Sequence, residues 1–244
     1  MLPIGLQKQN FIETAEAMAA VPGWEMLRAP HLFALMSPVP SLLVEFVWGD
    51  VTLHNIEKAK RFFRQKKFCW ILTPDQDSTL LSQAGFMNPI AFPEMLLPIT
   101  TYQPISIASN IRTHVVTTEN DLGQWAMLAA ETFGFPIDDI QAFARPLMKH
   151  AGYILFLTYY DDCPVATSLV FCGKTVAGVY AMGVQASFRR KGVGRAALQA
   201  CLQKAKDKNM TDVVLYASEL GRPLYESSGF QVTTMLQEYL YQES

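Results

Sequence analysis

The amino-acid sequence predicts a mixed α/β fold of the α+β class, in which strands form a central sheet and amphipathic helices flank it. Short uncharged apolar runs of strand length alternate with segments whose apolar residues recur at helical spacing. The clearest example is residues 175–184, an apolar run that a glycine-containing turn joins to a helix with Leu198 and Leu202 on one face. Of the 244 residues, 50% are hydrophobic and 17% are charged, so a sizeable core is expected and extensive disorder is not.

The first part of the chain predicts an alternation of helices and strands. A helix is expected over residues 11–20, because Pro22 and Gly23 follow it. A second helix is expected over residues 56–65, with Asn55 as its N-cap. The remaining predicted elements are strands at 31–36 and 42–47 around the turn 37–40, a strand at 68–72, a helix at 78–83, and a strand running from residue 86 through residue 97.

The second part begins after residues 100–110, which are the best linker candidate because they contain Pro104 and several Thr, Ser and Asn residues. Two helices are predicted early, one ending at Gly134 and one that Pro146 kinks or ends. The predicted elements are, in order, a strand at 114–117, helices at 119–133 and 138–150, strands at 153–159, 165–171 and 175–184, the helix after the glycine turn, a strand at 212–215, a short helix, and a final pair of strands within 231–241.

The turn between the strand 175–184 and the next helix carries the strongest chemical signal. It holds Gly192 and Gly194 one residue apart. Four basic residues surround the glycines: Arg189, Arg190, Lys191 and Arg195. The first amides of a helix have no partner within the helix and point outward at its positive end. Glycines let a bulky anion approach the main chain, so this turn predicts a phosphate-binding site.

Charge and composition exclude several classes of function. The net charge is −2, which does not favour nucleic acid or an anionic membrane as a partner, whereas a local basic cluster fits a small anionic ligand. The sequence shows neither a signal peptide nor an apolar run long enough to span a membrane. The cysteines form no metal-ligand pattern, and we expect buried, reduced thiols and no metal. We therefore expect a cytoplasmic protein.

The spacing Arg189-x-x-Gly192-x-Gly194 after a strand resembles the acetyl-CoA pyrophosphate loop of the GNAT superfamily of N-acetyltransferases. A second signature of that family has its counterpart in residues 215–230, where a strand precedes a short helix with Leu224-Tyr225-Glu226 and then Gly229-Phe230. The resemblance covers roughly residues 112–241. It implies a GNAT fold with a mixed, mostly antiparallel sheet, and acetyl-CoA as the cosubstrate.

The first part of the chain resembles the degenerate amino-terminal half of two-part GNAT proteins. Gly85-Phe86 followed by Met95 parallels Gly229-Phe230 followed by Met235, but the first part lacks a glycine loop of this kind and a tyrosine before its Gly-Phe pair. We therefore expect a partial GNAT-like half at residues 1–103 and a catalytic, acetyl-CoA-binding domain at residues 112–244.

The resemblance assigns roles to individual residues. Backbone groups of Met182, Gly183 and Val184 should bond to the pantetheine arm, and Ser218 stands where many members have an Asn that helps to hold it. The loop comprising Arg189, Arg190, Lys191, Gly192, Val193, Gly194 and Arg195 should hold the pyrophosphate. Tyr225 is the expected general acid, because a phenol stays protonated at neutral pH and can protonate the leaving thiolate.

One role stays open, because Val213 stands where many members carry a carboxylate base. The candidates for the proton acceptor are Glu131, Glu219 and a water relay. The expected reaction is direct transfer of an acetyl group to a primary amine of a small molecule or peptide. The alternative is a catalytically weak acyl-CoA-binding regulatory or interaction protein. A monomer or a homodimer is expected.

Overall fold

A computed structural model describes residues 5–39, 45–87 and 89–242. Eighteen named elements carry the fold. The helices are α1 (Leu6–Ala19), α2 (Leu53–Phe62), α3 (Thr79–Gln83), α4 (Glu119–Phe133), α5 (Ile137–Met148), α6 (Val193–Asp207) and α7 (Arg222–Ser227). The strands are β1 (Glu25–Ala29), β2 (Leu32–Met36), β3 (Phe46–Gly49), β4 (Phe68–Leu72), β5 (Ile90–Pro98), β6 (Ile111–Val115), β7 (Tyr153–Tyr160), β8 (Cys163–Cys172), β9 (Val176–Val184), β10 (Asp212–Tyr216) and β11 (Gln231–Tyr241).

All of these strands join one 11-stranded sheet in the order β1-β2-β3-β4-β11-β5-β10-β9-β8-β7-β6. Two neighbouring pairs, β3 with β4 and β9 with β10, are parallel, and the other neighbours pair antiparallel. This arrangement confirms the expected mixed, mostly antiparallel sheet flanked by helices.

The two parts of the chain exchange strands at the centre of the sheet. β5 comes from the first part yet pairs with β10 of the second, and β11 from the end of the chain pairs with β4 of the first. β5 and β11 then pair with each other. The sheet therefore runs through both parts, and their boundaries at 1–103 and 112–244 stay a prediction.

Helices cover both faces of the sheet and divide the core. On one face, α1, α4 and α5 contribute Ala15, Trp125 and Phe143 to a cluster that also takes Leu35 and Leu155 from strands of both parts. On the other face, α6 and α7 pack on β5, β9 and β10, and α2 and α3 pack on the strands of the first part. Burial of these apolar side chains is the main driving force for the association of the two parts.

Helix α1 belongs to the first part of the chain but is fastened to the second. The Asn10 side-chain amide donates to the Val176 carbonyl at 2.7 Å. The Tyr153 hydroxyl donates to the Thr14 carbonyl at 2.6 Å. At the middle of the helix, the Glu13 carboxylate accepts a hydrogen bond from the Lys174 amide at 2.9 Å. These three hydrogen bonds hold α1 in place over β9.

Several local expectations differ from the structure. The N-cap of α2 is Thr52, whose hydroxyl accepts from the Asn55 amide at 3.1 Å. Asn55 lies inside the helix, and its side chain donates to the Asp50 carbonyl. Strand β1 was not expected, and residues 231–241 form one bulged strand, not a pair. The part of the expected strand 42–47 that precedes Glu45, and Pro40 of the turn before it, lie outside the described residues.

The four cysteines are free. Cys69 and Cys201 are buried and Cys172 is half-buried, whereas Cys163 is exposed at the turn between β7 and β8. The expectation of burial is therefore wrong for Cys163, because this residue begins a strand at the solvent-exposed end of a hairpin.

Candidate active site

The candidate site begins where β9 and β10 part. Among the described residues, β10 pairs with β9 only over Asp212–Val214, opposite Val176–Gly178. β9 then continues to Val184 without β10 beside it, which leaves one edge of its main chain open on this side. Met182, Gly183 and Val184 lie on this stretch, as the sequence predicts for residues that bond to an extended ligand.

The open stretch of β9 contains a break in its pairing with β8. The register shifts between Thr167 and Leu169, and Ala181 has a positive φ of 46°. The Ala181 carbonyl accepts a hydrogen bond from the Thr167 hydroxyl at 2.9 Å. A non-glycine residue in this conformation stores strain that the surrounding structure holds in place, and such residues cluster at functional sites.

Gly183 has a steric role that the sequence did not reveal. A β-carbon at Gly183 would lie 2.5 Å from Cγ2 of Thr132 and 3.1 Å from the Phe133 ring. The end of α4 therefore rests directly on the open part of β9. The Thr132 hydroxyl oxygen is buried here, and among the described residues it has no hydrogen-bond partner.

After β9 a single 3₁₀ turn, Ala186–Phe188, leads into the glycine loop. Arg190 and Gly192 both have positive φ, at 63° and 87°. Gly192 is the N-cap of α6, and it has no side chain with which to occupy the first amides of that helix. These amides are therefore the free donors of a helix N-terminus, which favours an anion.

The basic side chains around the loop are exposed but differ in their contacts. The Arg189 guanidinium donates to the Val184 carbonyl at 3.1 Å, and Arg195 donates to the Ser227 hydroxyl at 3.1 Å. The Lys191 ammonium lies 5.0 Å from the centre of the Phe188 ring. Val193, the first residue of α6, is buried and anchors the loop.

Gly194 permits close packing between the loop and α7. A β-carbon at Gly194 would lie 3.2 Å from Cδ2 of Leu224 and 3.5 Å from Cγ2 of Val184. The N-terminus of α6 thus sits against both the end of β9 and the helix that carries Tyr225. A cavity of about 230 Å³ extends along α6 between Arg195 and Ser228.

Tyr225 is 7% exposed, and its ring meets the Phe230 ring edge-on at 5.9 Å. Burial, together with the nearby Cys201 thiol, raises the pKa of the Tyr225 phenol to about 12. The phenol therefore keeps its proton at neutral pH. The ring belongs to the buried cluster beneath α6, beside Leu215 and Ala217 of the strand that bounds the opening.

Ser218 is exposed and its hydroxyl accepts from the Gly221 amide at 3.1 Å, so this side chain organises the turn that leads into α7. Val213 is fully buried, opposite Leu97 and Ala177. Both candidate carboxylates are exposed: Glu131 accepts from the Gln185 side chain at 2.9 Å, and Glu219 lies in the turn before α7.

Sequence reasoning missed one buried carboxyl in this region. Glu94 is 3% exposed and lies opposite Tyr216 in the β5–β10 ladder. Burial raises its pKa, although the Thr233 hydroxyl and the main-chain N–H of Gln7, in the first turn of α1, donate hydrogen bonds to it. The only sequence signal was a charged residue inside an apolar run, and nothing local indicated that β5 would lie beside β10.

Other kinds of site find no support in the described residues. No three or more His, Cys, Asp or Glu side chains come together there in a way that could hold a metal ion. None of the helices described is both long and apolar enough to cross a bilayer.

Comparisons with known proteins agree with this geometry. Residues 120–230 match the model of the acetyltransferase (GNAT) family. No curated protein matches the sequence. Over 100% of this chain and 98% of the other, the structure is similar to a GCN5-related N-acetyltransferase from Kribbella flavida, with a TM-score of 0.75 and 15% identity.

Two further solved structures share the fold. A GCN5-related N-acetyltransferase from Sphaerobacter thermophilus has a TM-score of 0.64 and 14% identity, over 86% of this chain and 80% of that one. A tandem GNAT protein from the clavulanic acid biosynthesis pathway has a TM-score of 0.62 and 12% identity, over 96% and 94% of the two chains. At these identities the likeness concerns the fold alone, and it extends over both parts of the chain.

Proposed function

We propose, on the premise that residues 120–230 match the model of the acetyltransferase (GNAT) family, that the chain transfers an acetyl group from acetyl-CoA directly to a primary amine. The family implies acyl transfer from an acyl-CoA. The observation that carries the finer proposal is the open edge of β9, which is followed, after one 3₁₀ turn and the glycine loop, by the free amides of α6. A thioester with a diphosphate at its far end fits such an arrangement.

Binding uses the main chain first. The pyrophosphate would accept from the amides of Val193, Gly194 and Arg195, and the positive end of α6 favours its charge. Arg190 and Lys191 add charge at the exposed side of the loop. Arg189 already donates to Val184, so its part in our proposal is to fix the end of β9 and the start of the loop.

The remainder of the cosubstrate extends in two directions from the loop. The pantetheine arm would lie along Met182, Gly183 and Val184, like a strand added to the open edge. The nucleotide end would reach the cavity between Arg195 and Ser228. Ser218 would act through the turn it organises, because its hydroxyl is already engaged with Gly221.

The chemistry rests on positioning and on one proton donor. Attack by a free amine on the thioester carbonyl forms the amide bond and releases a thiolate, which takes a proton from the Tyr225 phenol. The amine loses its proton to Glu131, to Glu219 or to water, and these alternatives remain open. Holding the two reactants in line supplies much of the rate enhancement expected of such a site.

The test combines binding and turnover. We expect acetyl-CoA to bind in isothermal titration, and we expect Tyr225→Phe to lower kcat by about a hundredfold, the typical effect of losing an acid–base group, with acetyl-CoA affinity unchanged. Tyr239→Phe is the matched control, because Tyr239 is equally buried but lies in the cluster of the first part. Unchanged turnover of Tyr225→Phe in an assay limited by chemistry would remove the assignment.

A second reading is an acyl-CoA-binding regulatory protein with weak catalysis. The buried Val213, where a carboxylate base is common, is the observation that favours it. Acetyl-CoA binding without transfer to any amine in a broad panel would support this reading over the first. Our proposal includes a cytoplasmic location and a monomer or homodimer.

A further inference from the structure

A cavity of about 120 Å³ lies under α1, on the face of the sheet that also carries α4 and α5. It reaches β9 at Tyr180 and Ala181, so it ends one residue before Met182. We propose that this cavity receives an apolar substituent, such as a branched alkyl group or a phenyl ring, of the amine that accepts the acetyl group. The inference rests on the proposed function and adds the class of acceptor.

The cavity wall comes from both parts of the chain. Phe11, Ala15 and Met18 of α1 form one side. The opposite side is formed by α4, α5 and the sheet, through Trp125, Ala129, Phe133, Ile140, Phe143 and Leu169. α1 is held in this place by its hydrogen bonds to Val176 and Tyr153. Helix α1, from the first part of the chain, therefore forms one wall of a pocket beside the proposed transfer site.

The polar atoms of the wall are already paired within the protein. The Tyr180 hydroxyl donates to Asn10 Oδ1 at 2.6 Å and the Tyr153 hydroxyl donates to the Thr14 carbonyl. The Trp125 indole nitrogen donates to the Ser168 carbonyl at 3.3 Å. Among the described residues, no charged side chain lines the cavity. A polar or charged substituent would lose its hydration here without gaining a partner.

The size of the cavity defines the substituent. Dry cavities of about 150 Å³ lined by Leu, Ile and Phe bind benzene. A cavity of about 120 Å³ with a comparable lining therefore suits a group of the size of a leucine or phenylalanine side chain. Ala181, at the break in β9, lines this space and directly precedes Met182 on the edge assigned to the thioester.

The test compares two amines of nearly the same shape. L-leucinamide and L-asparaginamide both present a primary amine beside a side chain that branches at the same carbon, but only the first is apolar. Each is titrated calorimetrically into the protein, with and without saturating CoA. We expect leucinamide to bind at least about tenfold more tightly than asparaginamide, because only its side chain gains from burial.

Two variants separate the cavity from other apolar surfaces. Ala15→Leu fills the space from α1 and should abolish the preference for leucinamide. Ala59→Leu is the matched control, because Ala59 is an equally buried helical alanine in the cluster of the first part, and it should keep the preference. The comparison on the unmodified protein stands even where a variant does not fold.

The outcomes are distinguishable. Equal binding of the two amines, tighter binding of asparaginamide, or no binding of either would overturn the inference. Failure of CoA or acetyl-CoA to bind would instead count against the proposed function, since the amine titrations without CoA still report on the cavity by themselves.

Discussion

In each of the two parallel strand pairs, the first strand is followed by a helix, and these two helices begin in different ways. In the first part, β3 stops at Gly49, just after its pairing with β4, and Thr52 then caps α2 with its own hydroxyl. In the second part, β9 runs on to Val184 beyond its pairing with β10, and Gly192 opens α6 without a side chain. A side chain of the protein therefore accepts a hydrogen bond from a first-turn amide of α2, whereas the first amides of α6 have no capping side chain and are available to a ligand.

The surrounding charges follow the same division. Asp50 lies next to the closed start of α2, while four basic residues surround the open start of α6. The strand framework alone therefore does not make the two helix starts alike. They differ in the length of the strand before the helix and in the residue at the N-cap.

The largest expected effect comes from placing a side chain at the N-cap of α6. Gly192→Val places a β-branched residue at a φ of 87°, which costs about 1–2 kcal/mol and displaces the amides of α6. We expect acetyl-CoA affinity to fall tenfold or more in isothermal titration. The matched control is Thr52→Ala, which should lower the free energy of unfolding by about 1 kcal/mol and leave acetyl-CoA affinity unchanged. If both variants bound acetyl-CoA like the unmodified protein, the contrast between the two helix starts would have no functional meaning.

A second effect, on stability, concerns the residues that precede the parallel pairs, Glu45 in the first part and Thr175 in the second. Burial raises the pKa of Glu45 to about 8, although Lys66 opposes the shift. Since the folded-state pKa lies above the ordinary 4.5, the contribution of Glu45 to stability is complete below pH 4.5 and is lost as the pH rises towards 8.

The measurement is urea unfolding of the unmodified protein and Glu45→Gln at several pH values. We expect the free energy of unfolding of the unmodified protein to fall relative to that of the variant between pH 4.5 and pH 8. A difference that stays constant across this window would show that the carboxyl is not held in its neutral form.

The smallest expected effect concerns a single charge at each helix. Arg190→Ala should weaken acetyl-CoA binding about two- to fivefold, as expected for one charge near a helix N-terminus, and the loss should shrink in high salt. Lys60→Ala removes a charge from the last turn of α2 and should leave binding unchanged. An equal loss in both variants would mean that the overall charge of the protein, not the loop, attracts the ligand.

The sequence predicted the local features of both parts well. The bounds of α4 and β4 agree with the structure, because a capping box at Thr118, Gly134 at the C-cap and an uninterrupted apolar run are local signals. The turn with Gly192 and Gly194, and the helix that follows it, were also predictable from the sequence, since the spacing of the glycines and basic residues is a local signal. Asn55 misled the prediction because Thr52 competes for the same role only three residues away.

The sequence by itself determined where the helices and most strands form, and that the start of α6 has a glycine in place of a capping side chain, because these properties arise from contacts between near neighbours. Only the tertiary structure decided that β5 pairs with β10 and that β11 pairs with β4. It also decided that Asn10 joins α1 to Val176, 166 residues along the chain. The position of Glu94 beside β10 and the position of α1 against the apolar cavity depend on the same long-range packing. The patterns that place such contacts lie in two distant segments at once, and neither segment indicates its partner.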